Sequence, residues 1–130
     1  MTERACVDAF VAAVESATLP TLESAFAEDA VLDATVPNWR FRVHGEKGIR
    51  SELARWYAKA GRFEELTRTP LPDGELVEFV LTWTEDGVPH ACHQAHRLRV
   101  ASGRINADTV WCGGRWPQPL LEEMRAAAAV

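Results

Sequence analysis

The chain has 130 residues, 47% hydrophobic and 25% charged, with 14 Lys and Arg against 19 Asp and Glu for a net charge of −5. That length and mix predict one globular domain over residues 1–130. The basic residues are scattered rather than clustered, which excludes a nucleic-acid footprint, and no apolar run reaches the roughly 18 residues of a membrane span. Three cysteines are too few for a disulfide framework, and MTERACVDAF lacks a basic-then-apolar leader, so a soluble cytoplasmic protein with its thiols reduced is expected.

Arg4 to Ala17 carries Val7, Phe10, Val11 and Val14 at the i, i+3, i+4, i+7 spacing of an amphipathic helix. Thr18 is placed to cap a second helix, with Pro20 in its first turn and Leu22 and Phe26 as its inner stripe. Asp29 to Val36 reads as a strand ended by Pro37-Asn38, and Trp39 to His44 as a short strand with one wet face. A third helix is expected from Glu46 to Ala60, with Ile49, Leu53, Trp56 and Ala60 as its stripe and Gly61 as its stop.

Three longer strands follow at Phe63–Leu71, Glu75–Glu85 and Pro89–Val100, punctuated by Asp73-Gly74, Asp86-Gly87 and Ser102-Gly103. Arg104 to Cys112 is the last strand, and LLEEMRAAAA forms a C-terminal helix of strong helix formers. Helices segregated from a strand meander predict an α+β fold. Three helices of the N-terminal half, packed in a strongly curved antiparallel sheet, would enclose a cone with a short C-terminal helix outside.

The segment VPHACHQAHRLRVASGRINADTVWC, Val88 to Cys112, carries the chemistry. His90, Cys92, Gln94 and His96 share one strand face with Leu98 and Val100, which suits a pocket wall that turns apolar at one end. What opposes that face depends on the turn. A two-residue Ser102-Gly103 loop sets Arg97 opposite Asp108, an outward ion pair. A three-residue loop with Gly103 as a left-handed bulge residue sets His96 opposite Asp108, Leu98 opposite Asn106 and Cys92 opposite Cys112. Gly in the last loop position favours the second register. That register leaves Ile105 and Trp111 on an apolar outer face in need of a partner, which predicts a homodimer.

A carboxylate beside an imidazole fixes its tautomer and raises its basicity, so His96 and Asp108 are the candidate acid–base pair. The same two residues also suit a purely structural hydrogen bond. Gln94, Asn106, Cys112, Phe10, Trp39 and Tyr57 are candidate pocket residues. No metal site is expected from His90, His93 and His96. On a strand His93 points away from the others, which lie about 20 Å apart at roughly 3.3 Å per residue, while one ion needs nitrogens about 2.0–2.1 Å away. No cofactor is implied.

The order of elements, with FAEDAVLDATVP, HGEKGI and HRLRVASGRI, resembles the nuclear transport factor 2-like superfamily, in particular its SnoaL-like branch. The ending ADTVWCGGRWP is similar to an uncharacterised bacterial group within it. The resemblance implies a cone-shaped fold with an internal pocket, but it does not transfer a mechanism. Where ketosteroid isomerases of the superfamily carry a Tyr on the first helix, this chain has Phe10. Their strand Asp falls at Ala34 with Asp33 beside it, and their second oxyanion donor at His96. The Asp of the related cyclases falls at Val110, two residues past Asp108. The expectation is a pocket for a small apolar molecule, worked on by general acid–base chemistry as in an isomerase, cyclase or hydrolase. The alternative is a ligand-binding or dimerisation domain without turnover.

Overall fold

The computed structural model describes residues 4–129. A first helix, α1 (Ala5–Ser16), is followed by one 3-10 turn at Leu19–Thr21 and by strands β1 (Phe26–Val36) and β2 (Trp39–His44). Helix α2 (Glu46–Trp56) leads into β3 (Arg62–Leu71), β4 (Gly74–Glu85), β5 (Val88–Ala101) and β6 (Arg104–Cys112), and a two-residue strand β7 (Trp116–Pro117) precedes α3 (Gln118–Ala128). The strands form one curved sheet in the order β2-β1-β6-β5-β4-β3, with β7 on β5. This is the expected α+β cone, with one difference: β1 runs parallel to β6, so the sheet is mixed. Such a pair needs a long crossover, and the chain between the two strands supplies it.

The apolar stripe of α1 buries Val7, Phe10 and Val14 completely. The helix stops at Ala17, which takes a left-handed conformation (φ 59°) and donates its N–H to the Ala13 carbonyl. The second helix shrinks to the 3-10 turn. Ser24 sits at φ 65°, and the Ala25 carbonyl accepts the Ile105 N–H at 2.8 Å, so the sheet claims Phe26 before a helix can continue. Thr18 makes no side-chain cap; its hydroxyl meets that of Ser16 at 2.7 Å.

Helix α2 ends four residues early, at Trp56. Its buried stripe is Ile49 and Leu53, continued by Tyr57 just past the helix end. The chain then passes so close to β4 that a Cβ on Gly61 would lie 2.4 Å from the Thr82 carbonyl oxygen, so no larger residue fits there. At the far end of β4 the buried Glu75 carboxylate is held by Arg68 and, at 3.2 Å, by Arg4.

The β5–β6 hairpin takes neither expected register along its whole length. Its loop is the two-residue one, with Ser102 at φ 52° and Gly103 at φ 74°, and Val100 pairs with Ile105. Beyond that pair Asn106 is an extra residue, so Arg99 pairs with Ala107, Leu98 with Asp108 and His96 with Val110. Ile105 therefore points into the core and is fully buried, which corrects its expected place on the outer face. Of the two residues expected to seat a partner subunit, only Trp111 remains outside. Among the described residues no helix is long and apolar enough to cross a membrane.

Candidate functional site

Strand alternation places Cys92, Gln94, His96 and Leu98 of β5 in one buried row, beside Asp108 and Val110 of β6. The bulge at Asn106 keeps Asp108 on the inner face, diagonal to His96 rather than opposite it. The carboxylate oxygens of Asp108 lie 2.9 and 3.0 Å from His96 Nδ1, which therefore carries a proton and donates it. His96 Nε2 lies 2.8 Å from the Tyr57 hydroxyl, and that hydroxyl lies 2.5 Å from Gln94 Oε1. Gln94 Nε2 in turn donates to Cys112 Sγ at 3.1 Å, and the Gly114 N–H reaches the same sulfur at 3.4 Å.

Aromatic rings confine this line of groups. Phe79 stacks on the His96 imidazole at 5.7 Å between ring centres and 18° between planes, while Phe10 meets it edge-on at 5.2 Å. Burial is the main reason the Tyr57 phenol is pushed well above its ordinary range, with the negative charge of Asp108, and of the neighbouring cysteines once ionised, adding to it. Burial likewise pushes the Cys92 thiol up to about 12. Both groups stay protonated at neutral pH.

A cavity of about 330 Å³ opens beside this line. Its wall includes Tyr57, Gln94, Cys92 and Cys112, with Trp56, Trp83, Val36 and Pro37 as apolar surface and Arg55 and Arg115 as charged groups. His96 and Asp108 are 0% and 1% exposed and do not line it. Tyr57 stands between them and the cavity.

The other expected pocket residues divide. Gln94, Cys112 and Tyr57 line the cavity. Phe10 packs beneath His96 in the core. Trp39 is 70% exposed; it pairs with Val36 at the sheet edge and lies outside the cavity wall. Asn106 is exposed because it is the bulge residue, so its expected place opposite Leu98 goes to Asp108. Asp33, beside the position of the superfamily's strand base, faces outward and accepts two hydrogen bonds from Arg40 at 3.0 and 2.7 Å, which hold its carboxyl below the usual range.

From the sequence Tyr57 is expected as one wall residue among several; its place between the imidazole and the cavity is new. The signal was there: Ile49, Leu53 and Tyr57 are spaced i, i+4, i+8, which carries the buried face of α2 onto the tyrosine. Arg55 and Arg115 carried no expectation at all. Arg115 follows two glycines, one of them at φ 116°, and its guanidinium lies over the Trp83 ring at 5.2 Å.

A family model described as a SnoaL-like domain matches residues 7–107. No curated protein matches the chain. Among solved structures, a provisionally named isomerase from Bacillus subtilis aligns with TM-score 0.66 at 16% identity, over 87% of this chain and 90% of that one. A provisionally named polyketide cyclase from Pseudomonas putida aligns with TM-score 0.65 at 16% identity, over 85% and 90%. A Catenulispora acidiphila protein of ketosteroid isomerase-like fold, in complex with trimethylamine, aligns with TM-score 0.62 at 22% identity, over 86% and 88%. At these identities the likeness is one of fold and carries no reaction across.

Proposed function

The chain belongs to the SnoaL-like domain family, and from that membership and the geometry around Tyr57 we infer that it is an isomerase-type enzyme moving a proton within a small, largely apolar carbonyl compound. The observation that carries this reading is the unbroken line of hydrogen-bonding groups from Asp108 through His96 to the hydroxyl of Tyr57, a residue of the cavity wall.

Counting hydrogens makes the line a proton store. Tyr57 has one hydroxyl hydrogen and two polar neighbours. With Gln94 Oε1 turned to the hydroxyl, Tyr57 donates to the amide, and the line is complete only when His96 Nε2–H donates to the phenol oxygen. With the amide turned over, Gln94 Nε2 donates to the phenol oxygen, Tyr57 donates to a neutral His96, and Cys112 S–H donates to Oε1. The two arrangements differ by one proton.

In the reaction, the Tyr57 oxygen takes a proton from a carbon beside the carbonyl while its own proton passes to His96 Nε2. The C–H electron pair moves into the enolate, and Asp108 balances the imidazolium. Returning the proton to another carbon of a conjugated enolate releases the isomer and restores the neutral imidazole. Tyr57 never becomes a free phenolate, in keeping with its raised pKa. Tyr57 is then the catalytic residue, and His96 and Asp108 act through it.

The test is the conversion of β,γ-unsaturated cyclic ketones, from 3-cyclohexen-1-one to a bicyclic octalone, into their conjugated isomers, followed by ultraviolet absorbance. We expect acceleration over buffer that drops about 100-fold or more in Tyr57→Phe, the usual scale of one acid–base group. One observation favours a second reading, a binding domain without turnover: His96 and Asp108 are sealed from the cavity. That reading takes over if the wild type accelerates none of these ketones while calorimetry shows it binding them as tightly as Tyr57→Phe does.

A further inference from the structure

We propose that the ligand of this cavity is an amphipathic anion, a cyclic or aromatic carboxylate whose charged end is held by Arg115 and Arg55; the proposal rests on the reading that the cavity takes a ligand. Among the described residues, the cavity wall contains two arginines and no Asp or Glu, in a chain whose net charge is −5. The only charged groups on that wall are thus arginines, and although Glu85 and Glu52 each take one of their N–H donors, the donors that remain suit an anionic ligand better than a cationic one.

Each guanidinium is held in place without being used up. Arg115 lies over the Trp83 ring and donates through Nη2 to Glu85; Arg55 donates through Nη2 to Glu52 at 2.5 Å. A guanidinium carries five N–H donors in a planar fork, so each retains donors for a carboxylate. Arg115 is 54% and Arg55 74% exposed at the side chain, which places them at the rim and not in the floor. Trp56 and Trp83 supply flat apolar wall, and Tyr57, Gln94 and Cys112 supply the neutral polar groups. A planar body between the tryptophans, an anion at the rim and a carbonyl at Tyr57 use every kind of surface the cavity offers. At about 330 Å³ the space suits a ligand of one or two rings.

The experiment is a calorimetric titration of the intact protein with 2-naphthoate and with its neutral isostere 2-naphthamide, at low and high salt. We expect naphthoate to bind about tenfold tighter, to weaken with salt, and to lose about tenfold in Arg115→Gln while naphthamide binding stays unchanged. Arg55→Gln, on a more exposed side chain, repeats the test with less risk to the fold and is expected to lose several-fold for naphthoate only. Equal or tighter binding of naphthamide, or equal losses for both probes in the Arg variants, overturns the charge preference and leaves the cavity as a ligand site. Failure of both probes to bind overturns the charge preference and the ligand-site reading together.

Discussion

At the scale of single residues, the pair His96–Asp108 is expensive to keep. Both side chains are buried in an aromatic shell, and a buried charged group costs several kcal/mol in desolvation before its partner offsets it. Truncating one partner exposes that cost. Asp108→Ala leaves the His96 Nδ1–H without an acceptor and is expected to lower unfolding free energy by about 2 kcal/mol. Replacing both with apolar groups of similar size, His96→Leu with Asp108→Val, is expected to return stability to within about 1 kcal/mol of the wild type. Urea denaturation checks both values. If the double variant falls as far as Asp108→Ala, the pair is structural cement and the relay loses its main support. If it stays stable and turnover is gone, the pair is retained for chemistry.

At the scale of elements, the hairpin loop decides where Asp108 points, and its geometry can be tested by chemistry at two positions. Ser102 and Gly103 both have positive φ, as a two-residue turn of the mirror-image type requires. Ser tolerates that region poorly and Asn well, so Ser102→Asn is expected to stabilise by about 0.5–1 kcal/mol, while Gly103→Ala costs about 1–2 kcal/mol. A three-residue loop would need positive φ only at Gly103. A thermal melt in which Ser102→Asn gains nothing would therefore return the hairpin to that alternative.

The same hairpin marks how far sequence could be read. The polar row Cys92, Gln94, His96 followed from strand alternation, whereas His96 was expected beside Asp108 through a three-residue loop that the structure does not form. The bulge that brings the two together instead did not follow, because one extra residue leaves composition and turn signals untouched. Its one trace is a slip in parity: Ile105 is inward at an odd position, Asp108 and Val110 at even ones. Elsewhere tertiary pairing overrode local preference. Thr18 to Phe26 carries helix signals, yet Phe26 pairs with Ile105 in the sheet. The cavity wall was the least legible part, because Trp83 and Arg115 meet only once β4 and the segment after β6 are brought together by the fold.

For the molecule as a whole, the cost of burying neutral acids sets an alkaline limit on stability. Burial lifts the Cys92 thiol from 9.0 in the unfolded chain to about 12 in the folded one, and the Tyr57 phenol well above 10.0. Above pH 9 the unfolded chain releases the Cys92 proton while the folded chain keeps it, so the folded state binds more protons and stability falls as pH rises. The contribution is whole below pH 9, is lost progressively toward pH 12, and Tyr57 adds to the loss from about pH 10. The slope from one such group approaches about 1.4 kcal/mol per pH unit. Urea midpoints measured from pH 8 to 11 are expected to be level at first and then fall. Cys92→Ala lowers the starting stability by removing a packed thiol, yet its curve is expected to fall less steeply between pH 9 and 10, where Tyr57 contributes little. Parallel curves for the two proteins across that window would mean that the Cys92 thiol ionises as readily folded as unfolded, and that the face it shares with Gln94 and the cavity is wetter than its burial implies.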